Sequence, residues 1–200
     1  MIKLVVGLGN PGDQYARTRH SLGYRVIDRF CTSHNGTWKM EKKLRSLICI
    51  FNQPDYTLVL AKPTTYMNDS GCAVQKVCQF YKILPNDVIV VYDDIGFDVG
   101  DYRITPRVGT GGHNGVADIL PHIGPGFTRF RVGIGQKKFP DMDLKEHVLS
   151  RFTEREEEIL AKMFPEILND LQLLLDKGAE YSMNLINRKK KYGQSEEVQG

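Results

Sequence analysis

The chain has 200 residues, of which 41% are hydrophobic and 26% are charged, and its formal net charge is +3 at pH 7. This composition excludes a largely disordered chain and favours a single globular domain that is long enough to bury a sheet core. The mild positive charge is compatible with an anionic partner, but it does not by itself indicate RNA.

Composition also bears on where the protein works. No stretch of the sequence is long enough for a membrane span, and the apolar run that ends at Gly7 is too short for a signal peptide. The cysteines Cys31, Cys49, Cys72 and Cys78 form no Cys-x-x-Cys pair and lie in apolar stretches, which favours reduced, buried thiols. We therefore expect a cytoplasmic protein without membrane contact.

In the first half of the chain, strand patterns alternate with helical ones. Hydrophobic periodicity and turn residues predict, in order, a strand over 2–8, a helix over 20–34, strands over 46–51 and 56–61, and a helix that opens at 63 and runs to 81. The turn sequence at 52–55 predicts that the two middle strands pair as a hairpin. His20 is expected near the start of the first helix and Asn68 on the first turns of the second.

The second half continues this alternation and then becomes helical. The predicted elements are a strand over 88–92, a short strand within 99–105, a helix from about 113, a strand over 127–134, and helices from 143 onward. Asp93 and Asp94 are expected just past the end of the strongest strand. Pro165 is expected to start a new helix or to kink the existing one.

The order of elements predicts the fold class. Strands that alternate with helices, together with one hairpin, predict an α/β fold: a single globular domain, residues 1–187, with a mixed twisted sheet flanked by helices on both faces. Residues 188–200 are basic and then polar, which predicts a flexible tail. Solvation explains such a charge run, and contact with a phosphate backbone is the alternative.

Polar residues at strand ends and in loops are the candidates for chemistry. They are Asn10, His20, Asn68, Asp93, His113 and Asn114. A histidine with an ordinary pKa can act as a general base at neutral pH, an aspartate can fix its tautomer, and neutral amides can hold an ester. The set predicts a water-activating hydrolase. The alternatives are a His20 bonded to a backbone carbonyl, and Asn68 and Asn114 as ordinary helix caps.

Two glycine-rich segments have more than one interpretation. Residues 7–12 satisfy G-x-G-x-x-G after a strand, with Asp28 at about the spacing of a ribose-binding acid. We interpret this match as coincidental, because Pro11 interrupts the turn and Asp28 falls within a helical pattern. Residues 109–115 lead into a helix, so their backbone N–H groups suit an anion or a ligand carbonyl, and a flexible turn is an equal alternative.

Metal and nucleophile chemistry are not indicated. The five histidines show no paired ligand spacing, and Gly-x-Ser-x-Gly is absent. We therefore predict no metal and no cofactor, and the remaining candidate is His20 acting on water with Asp93 accepting its other ring hydrogen. Arg129 and Arg131 are expected on one face of a strand.

Several separate motifs, in register from residue 1 to about the end of the last helix, match one family. They are Val6-Gly7-Leu8-Gly9-Asn10-Pro11-Gly12 with Tyr15, Thr18-Arg19-His20 with Gly23, Lys62-Pro63 and Tyr66-Met67-Asn68 with Ser70-Gly71, Asp93-Asp94, Gly111-Gly112-His113-Asn114-Gly115, and Arg129-Phe130-Arg131-Val132-Gly133-Ile134-Gly135. In these motifs the chain closely resembles the bacterial-type peptidyl-tRNA hydrolases.

The resemblance implies hydrolysis of the ester that joins a peptide to the 3′ end of its tRNA. It implies that His20 activates water, Asp93 orients His20 and Asn10 helps to position the water. The substrate-binding residues that it implies are Tyr15, Tyr66, Met67, Asn68, His113 and Asn114. The implied partner is a tRNA carrying an esterified peptide, and the family is usually monomeric.

The chain departs from the family's pattern at the tRNA contact. Family members usually carry a basic residue where this chain has Thr105, and that residue clamps the tRNA 5′ phosphate together with the one matching Arg131. We expect Arg103 or Arg107 to substitute for it. Further departures are Ala117, where a basic residue is common, and Gly96, where an acid is common.

Two competing functions remain. One is an RNA-binding module on the same fold that has lost catalysis, which the intact set of His20, Asp93 and Asn10 argues against. The other is a nucleotide-dependent enzyme that uses the glycine turn. Cleavage of N-blocked aminoacyl-tRNA by the purified protein separates the three.

Overall fold

A computed structural model of the chain describes residues 1–106, 109–137 and 139–196, and for 188–196 it describes the backbone alone. The strands are β1 (Ile2–Gly7), β2 (Lys39–Glu41), β3 (Ser46–Asn52), β4 (Thr57–Pro63), β5 (Val88–Asp94), β6 (Tyr102–Pro106) and β7 (Thr128–Gly133). The α-helices are α1 (Leu22–Ser33), α2 (Ser70–Tyr81), α3 (Asn114–Ile123), α4 (Leu144–Leu149), α5 (Glu154–Lys177) and α6 (Ala179–Glu196). Short 3-10 helices lie at Arg19–Ser21, Lys42–Leu44, Met67–Asp69 and Pro85–Asp87.

The strands form one mixed sheet in the order β2-β3-β4-β1-β5-β7-β6. The central strand β1 runs parallel to β4 and β5, and β5 runs parallel to β7. The outer pairs are antiparallel, including the hairpin of β3 and β4. The central strands are continuous apolar runs because helices cover both faces of a parallel sheet. The predicted fold class and hairpin are confirmed.

Two apolar layers hold the helices against the sheet. Successive residues of a strand point to opposite faces, so Val5 packs in the layer that contains α1 and α5. Leu4 and Val6 pack in the layer that contains α2 and α3. The connection from β1 to α1 therefore passes over the edge of the sheet where β1 and β5 end.

A close approach between α1 and the strands fixes this connection. A Cβ atom on Gly23 would lie 2.3 Å from the carbonyl oxygen of Val91, so only glycine allows α1 to begin so near β5. The backbone N–H of Tyr24 donates to Leu8 at 3.0 Å, and that of Leu8 donates to Val91 at 2.9 Å. Asn10 and His20 are thereby held beside the end of β5.

Several predicted boundaries are wrong. Asp93 and Asp94 are the last residues of β5, because the pairing with β7 continues to Asp94. The helix predicted from residue 63 begins at Ser70, because Pro63 still pairs with Ser46 in the hairpin. A new helix at Pro165 is also wrong, since this residue lies inside α5, where tertiary packing of the apolar face outweighs one lost backbone hydrogen bond.

The predicted boundary after residue 187 falls inside α6, and the tail stays a prediction because the side chains of 188–196 and all of 197–200 lie outside the described residues.

Cys31, Cys49 and Cys78 are buried as predicted, whereas Cys72 is half-buried. Among the described residues, no helix combines the length and apolar character needed to cross a membrane.

Candidate active site

A cleft of about 610 Å³ lies beside the carboxyl ends of β1 and β5. The residues that the sequence singled out and that line this cleft are Asn10, Tyr15, His20, Tyr66, Met67, Asn68, Asp93, His113 and Asn114. The structure therefore brings together every catalytic and substrate-binding candidate named above. Arg103 and Arg131 are not among its lining residues, and Arg107 lies outside the described part of the chain.

Two imidazoles share the carboxylate of Asp93. Nδ1 of His20 lies 3.0 Å from both carboxylate oxygens, and Nε2 of His113 lies 3.0 Å from Oδ1. The two imidazole rings also contact each other, with centroids 4.9 Å apart. His20 therefore bonds a carboxylate and not a backbone carbonyl, and all three residues are buried.

These hydrogen bonds fix the tautomer of each histidine. The backbone N–H of Val116 donates to Nδ1 of His113 at 3.3 Å, so the ring hydrogen of His113 is on Nε2 and is donated to Asp93. His20 meets the same carboxylate through Nδ1, which carries its hydrogen. Nε2 of His20 is thus the basic nitrogen. The hydrogen bonds of the His20 ring with described residues are made through Nδ1, so Nε2 is available to a ligand.

The shared carboxylate sets the charge of the cluster. Burial favours the neutral form of His20, but the charge of Asp93 and its hydrogen bond outweigh burial and raise the pKa of His20 above its ordinary value. Burial also favours neutral Asp93, but His20 and His113 hold the pKa of this carboxyl well below its usual range. Asp93 therefore stays charged at neutral pH, where His20 can exchange a proton.

Asn10 connects the loop after β1 to a second part of the cleft. Its Oδ1 accepts a hydrogen bond from the backbone N–H of Met67 at 2.8 Å, and its own backbone N–H donates to Oγ of Ser21 at 3.3 Å. Because the amide oxygen is engaged, the side-chain NH₂ is the group left for a ligand.

The exposed amides of Asn68 and Asn114 reach the cleft from two helix starts. The residues in the cap positions are Asp69 before α2 and His113 before α3, so the interpretation of these asparagines as N-caps is wrong. A Cβ atom on Gly115 would lie 2.5 Å from Sδ of Met67, so a larger residue at the start of α3 would force the Met67 side chain to shift.

One wall of the cleft was not recognised as part of the site from the sequence. It consists of Asp143 and α4 residues: Leu144, Lys145, Val148 and Leu149. Asp143 caps α4 by accepting from the backbone N–H of Lys145 at 3.2 Å. Nε2 of His147 is hydrogen-bonded to the carbonyl oxygen of Gly135 at 3.0 Å, which attaches α4 to the end of β7. The cap at Asp143 is the local signal for this short helix, and nothing local connects it to His20.

Comparisons with known proteins agree with this site. Residues 4–194 match the family model described as peptidyl-tRNA hydrolase. The chain is 40% identical over 185 residues to the peptidyl-tRNA hydrolase of Clostridium novyi (strain NT), covering 92% of this chain and 97% of that one. It is 38% identical over 188 residues to that of Aquifex aeolicus (strain VF5), covering 94% and 97%. The chain belongs to the peptidyl-tRNA hydrolase family.

A solved structure extends the agreement to the whole fold. The crystal structure of peptidyl-tRNA hydrolase from Acinetobacter baumannii matches this chain with a TM-score of 0.87 at 35% identity, covering 93% of this chain and 94% of that chain. The resemblance that the sequence motifs indicated is confirmed.

Thr105, where the resemblance to the peptidyl-tRNA hydrolase family implies a basic residue, lies on the edge strand β6. Thr105 pairs with Arg129, whereas Arg103 pairs with Arg131 on the neighbouring strand. The guanidinium groups of Arg131 and Arg103 lie 4.7 Å and 5.7 Å from the ring centroid of Phe97. We call Arg103, Arg131 and Phe97 the basic edge.

The basic edge is only partly neutralised. Nε of Arg131 donates to Oδ2 of Asp94 at 2.6 Å, and Arg131 is half-buried. Arg129 lies on the same face of β7 but is 1% exposed, so it is not available to a surface ligand. Among the sequence-predicted phosphate contacts, Arg103 and Arg131 are therefore the ones that the described structure brings together.

The ligand atoms of His20, Asp93 and His113 lie within 4.8 Å of one another, a spacing that could hold a metal ion and that no other described trio shares. Ordinary N–H to oxygen hydrogen bonds of 3.0 Å account for this spacing. Sequence spacing could not show the cluster, because Asp93 lies 73 positions from His20 and 20 from His113.

Proposed function

We propose that this protein hydrolyses the ester bond of peptidyl-tRNA and releases the tRNA for reuse in translation. The observation that carries the proposal is the state of His20, whose Nδ1 donates to the charged Asp93 and whose Nε2 is the basic nitrogen in a cleft that also contains amide donors. Such a site suits an ester, which water can cleave without a protein nucleophile.

In the proposed mechanism, Nε2 of His20 accepts a proton as water attacks the ester carbonyl. Asp93 stabilises the imidazolium that forms, because its carboxylate accepts the Nδ1 hydrogen throughout. The tetrahedral intermediate then collapses, the bond from the carbonyl carbon to the ribose oxygen breaks, and the imidazolium returns its proton to that oxygen. The products are the tRNA hydroxyl and the peptide acid, which loses its own proton to solvent at neutral pH and leaves as the carboxylate.

Amide groups position the reacting atoms in this proposal. The side-chain NH₂ of Asn10 holds the attacking water, since its Oδ1 is occupied by Met67. Asn68 and Asn114 donate hydrogen bonds to the substrate and to the developing oxyanion. Tyr15 and Tyr66, which meet edge to face with centroids 6.4 Å apart, line the cleft with Met67 and His113.

The basic edge supplies the proposed contact to the tRNA phosphate. Arg131 can offer the guanidinium hydrogens that do not bond Asp94, and Arg103 stands beside it in the ladder. Arg107 stays a proposed contact from the sequence. We further propose that the enzyme acts in the cytoplasm as a monomer and without a cofactor.

Hydrolysis of N-blocked aminoacyl-tRNA tests the proposal. Wild-type protein should release tRNA, and His20→Ala should lower kcat by roughly 10²–10⁴-fold while tRNA binding is nearly unchanged. His122→Ala, which changes a histidine outside the cleft, is the control. Tight tRNA binding without hydrolysis would favour the RNA-binding module. A thermal shift with a dinucleotide and no ester cleavage would favour the nucleotide-dependent enzyme.

A further inference from the structure

Arg19 ties the 3-10 turn that carries His20 to the start of α5. It is 7% exposed, and its guanidinium donates to both carboxylate oxygens of Glu156, with Nη1 to Oε1 at 2.9 Å and Nη2 to Oε2 at 2.8 Å. Nη1 also donates to the carbonyl oxygen of Ile134 at 2.8 Å, and Nε donates to Oγ of Ser150 at 3.1 Å. Its guanidinium carbon lies over the ring of Phe152, 4.6 Å from the ring centroid.

The acceptor of this ion pair is itself held in place. Glu156 forms a capping box with Thr153: Oε2 accepts the backbone N–H of Thr153 at 2.7 Å, and the backbone N–H of Glu156 donates to Oγ1 of Thr153 at 3.3 Å. The backbone N–H of Arg19 also donates to the carbonyl oxygen of Ser150 at 3.0 Å. Arg19 is therefore bound to a fixed point outside the cleft through both its side chain and its backbone.

Three successive residues of the turn have three different partners. Arg19 binds Glu156, His20 binds Asp93, and Oγ of Ser21 accepts the backbone N–H of Asn10. A turn this short cannot shift at Arg19 without moving the imidazole of His20. Misplacement of a reacting group by about 1 Å can cost roughly 10²-fold in rate.

We infer that Arg19 and Glu156 are positioning residues that hold His20 against Asp93. The inference rests on the proposed role of His20 as the base. The groups that face His20 are Asp93 and His113, while Arg19 acts on His20 through the backbone and makes no contact with the carboxylate of Asp93.

A second ion pair offers a matched control. Arg25 in α1 donates to both carboxylate oxygens of Glu157 in α5, at 3.0 Å and 2.6 Å, and also lies over Phe152, at 5.6 Å. It joins α1, the helix that follows the turn, to α5 with the same chemistry, and none of its described hydrogen bonds reaches the turn. A merely structural role predicts that variants of either pair lose folding stability while the folded protein keeps its kcat.

The experiment compares Arg19→Lys and Glu156→Gln with Arg25→Lys and Glu157→Gln. Lysine keeps the charge but cannot form the two parallel hydrogen bonds of the guanidinium. We expect kcat on N-blocked aminoacyl-tRNA to fall about 10- to 100-fold in the first pair of variants with KM within about twofold, and both constants to stay within about twofold in the control pair.

A second measurement reports His20 without turnover. In the wild-type protein the Nδ1–H of His20 should give a downfield proton resonance, identified by its loss in His20→Gln. This signal should weaken or shift in Arg19→Lys and Glu156→Gln and stay in place in the controls. If Arg19→Lys fails to fold, Glu156→Gln alone decides, because Thr153 can still donate to the amide oxygen of glutamine.

Equal loss of kcat in both pairs, or an unchanged His20 resonance in Arg19→Lys and Glu156→Gln, would overturn the inference. A wild-type protein that does not cleave the ester would instead overturn the proposed function, and the resonance would still decide whether Arg19 positions His20.

Discussion

The buried cluster of His20, Asp93 and His113 and the basic edge differ in how their charges are paired. In the cluster one carboxylate serves two imidazoles, and all three residues are at most 8% exposed. At the basic edge two half-buried arginines lie beside the ring of Phe97. Among the described residues, one ion pair forms there, between Arg131 and Asp94.

This difference determines which conditions each region responds to. Charges inside the protein interact in a low effective dielectric, so the cluster should respond to pH and to the loss of a single hydrogen bond. Half-exposed charges are screened by salt within about 8–10 Å, so the basic edge should respond to ionic strength. The two regions can therefore be perturbed separately.

Replacing Asp93 by Asn should have the largest effect of these changes, lowering kcat by at least about 10²-fold. The carboxylate accepts hydrogen bonds from both His20 and His113, whereas an amide offers one oxygen and an NH₂ group that can donate to Nδ1 of His20 and so place the imidazole hydrogen on Nε2. The amide also cannot stabilise the imidazolium. Rate measurements on N-blocked aminoacyl-tRNA test this, and a kcat within a few-fold of the wild-type value would contradict it.

The pH dependence of the same pair has a defined sign. Because Asp93 raises the pKa of His20, the neutral base is lost as pH falls through this raised value, and kcat/KM of the wild-type protein should fall with it on the acid side. In Asp93→Asn burial remains but the raising contributions are gone, so the acid limb should move to lower pH. A limb at the same pH in both proteins would mean that another group controls it.

How much of this could be read from the sequence differs between the two regions. The central strands are predicted by their apolar runs. The polar residues Asn10, His20 and Asp93 are predicted as site residues because each stands at the end of a strand or at the start of a helix. The edge strand β2 was not predicted, since Lys39–Glu41 has only three residues, fewer than a strand pattern needs to be recognised.

Contacts between distant residues were beyond local patterns. Arg19 and Glu156 are separated by 137 positions, and no local pattern pairs them. Likewise, only the register of β6 and β7 shows that Arg103, and not Thr105, stands opposite Arg131. Periodicity predicts which face of a strand a residue occupies, but it does not predict which residue of the next strand lies beside it.

At the basic edge, Arg131→Ala should reduce the slope of log Kd against log salt by about one unit, as expected for one lost phosphate contact. Arg103→Ala should add a similar loss, because the two arginines stand side by side on Phe97. Arg155→Ala, which removes an exposed arginine of α5, is the control. Unchanged slopes in both edge variants would move the phosphate contact elsewhere, and residues 188–191 would be tested next.

The smallest effect is expected for Thr105→Lys, which places a basic residue where the resemblance to the family implies one. A lysine here adds one cation and should steepen the salt slope by at most about one unit. Its neighbour across the ladder is the buried Arg129, so like-charge repulsion opposes part of this gain. We therefore expect tighter tRNA binding at low salt and no change in kcat, since Thr105 is not among the residues that line the cleft. Thr105→Gln, which adds length without charge, is the control, and equal tightening by both variants would show that the added charge does not contact a phosphate.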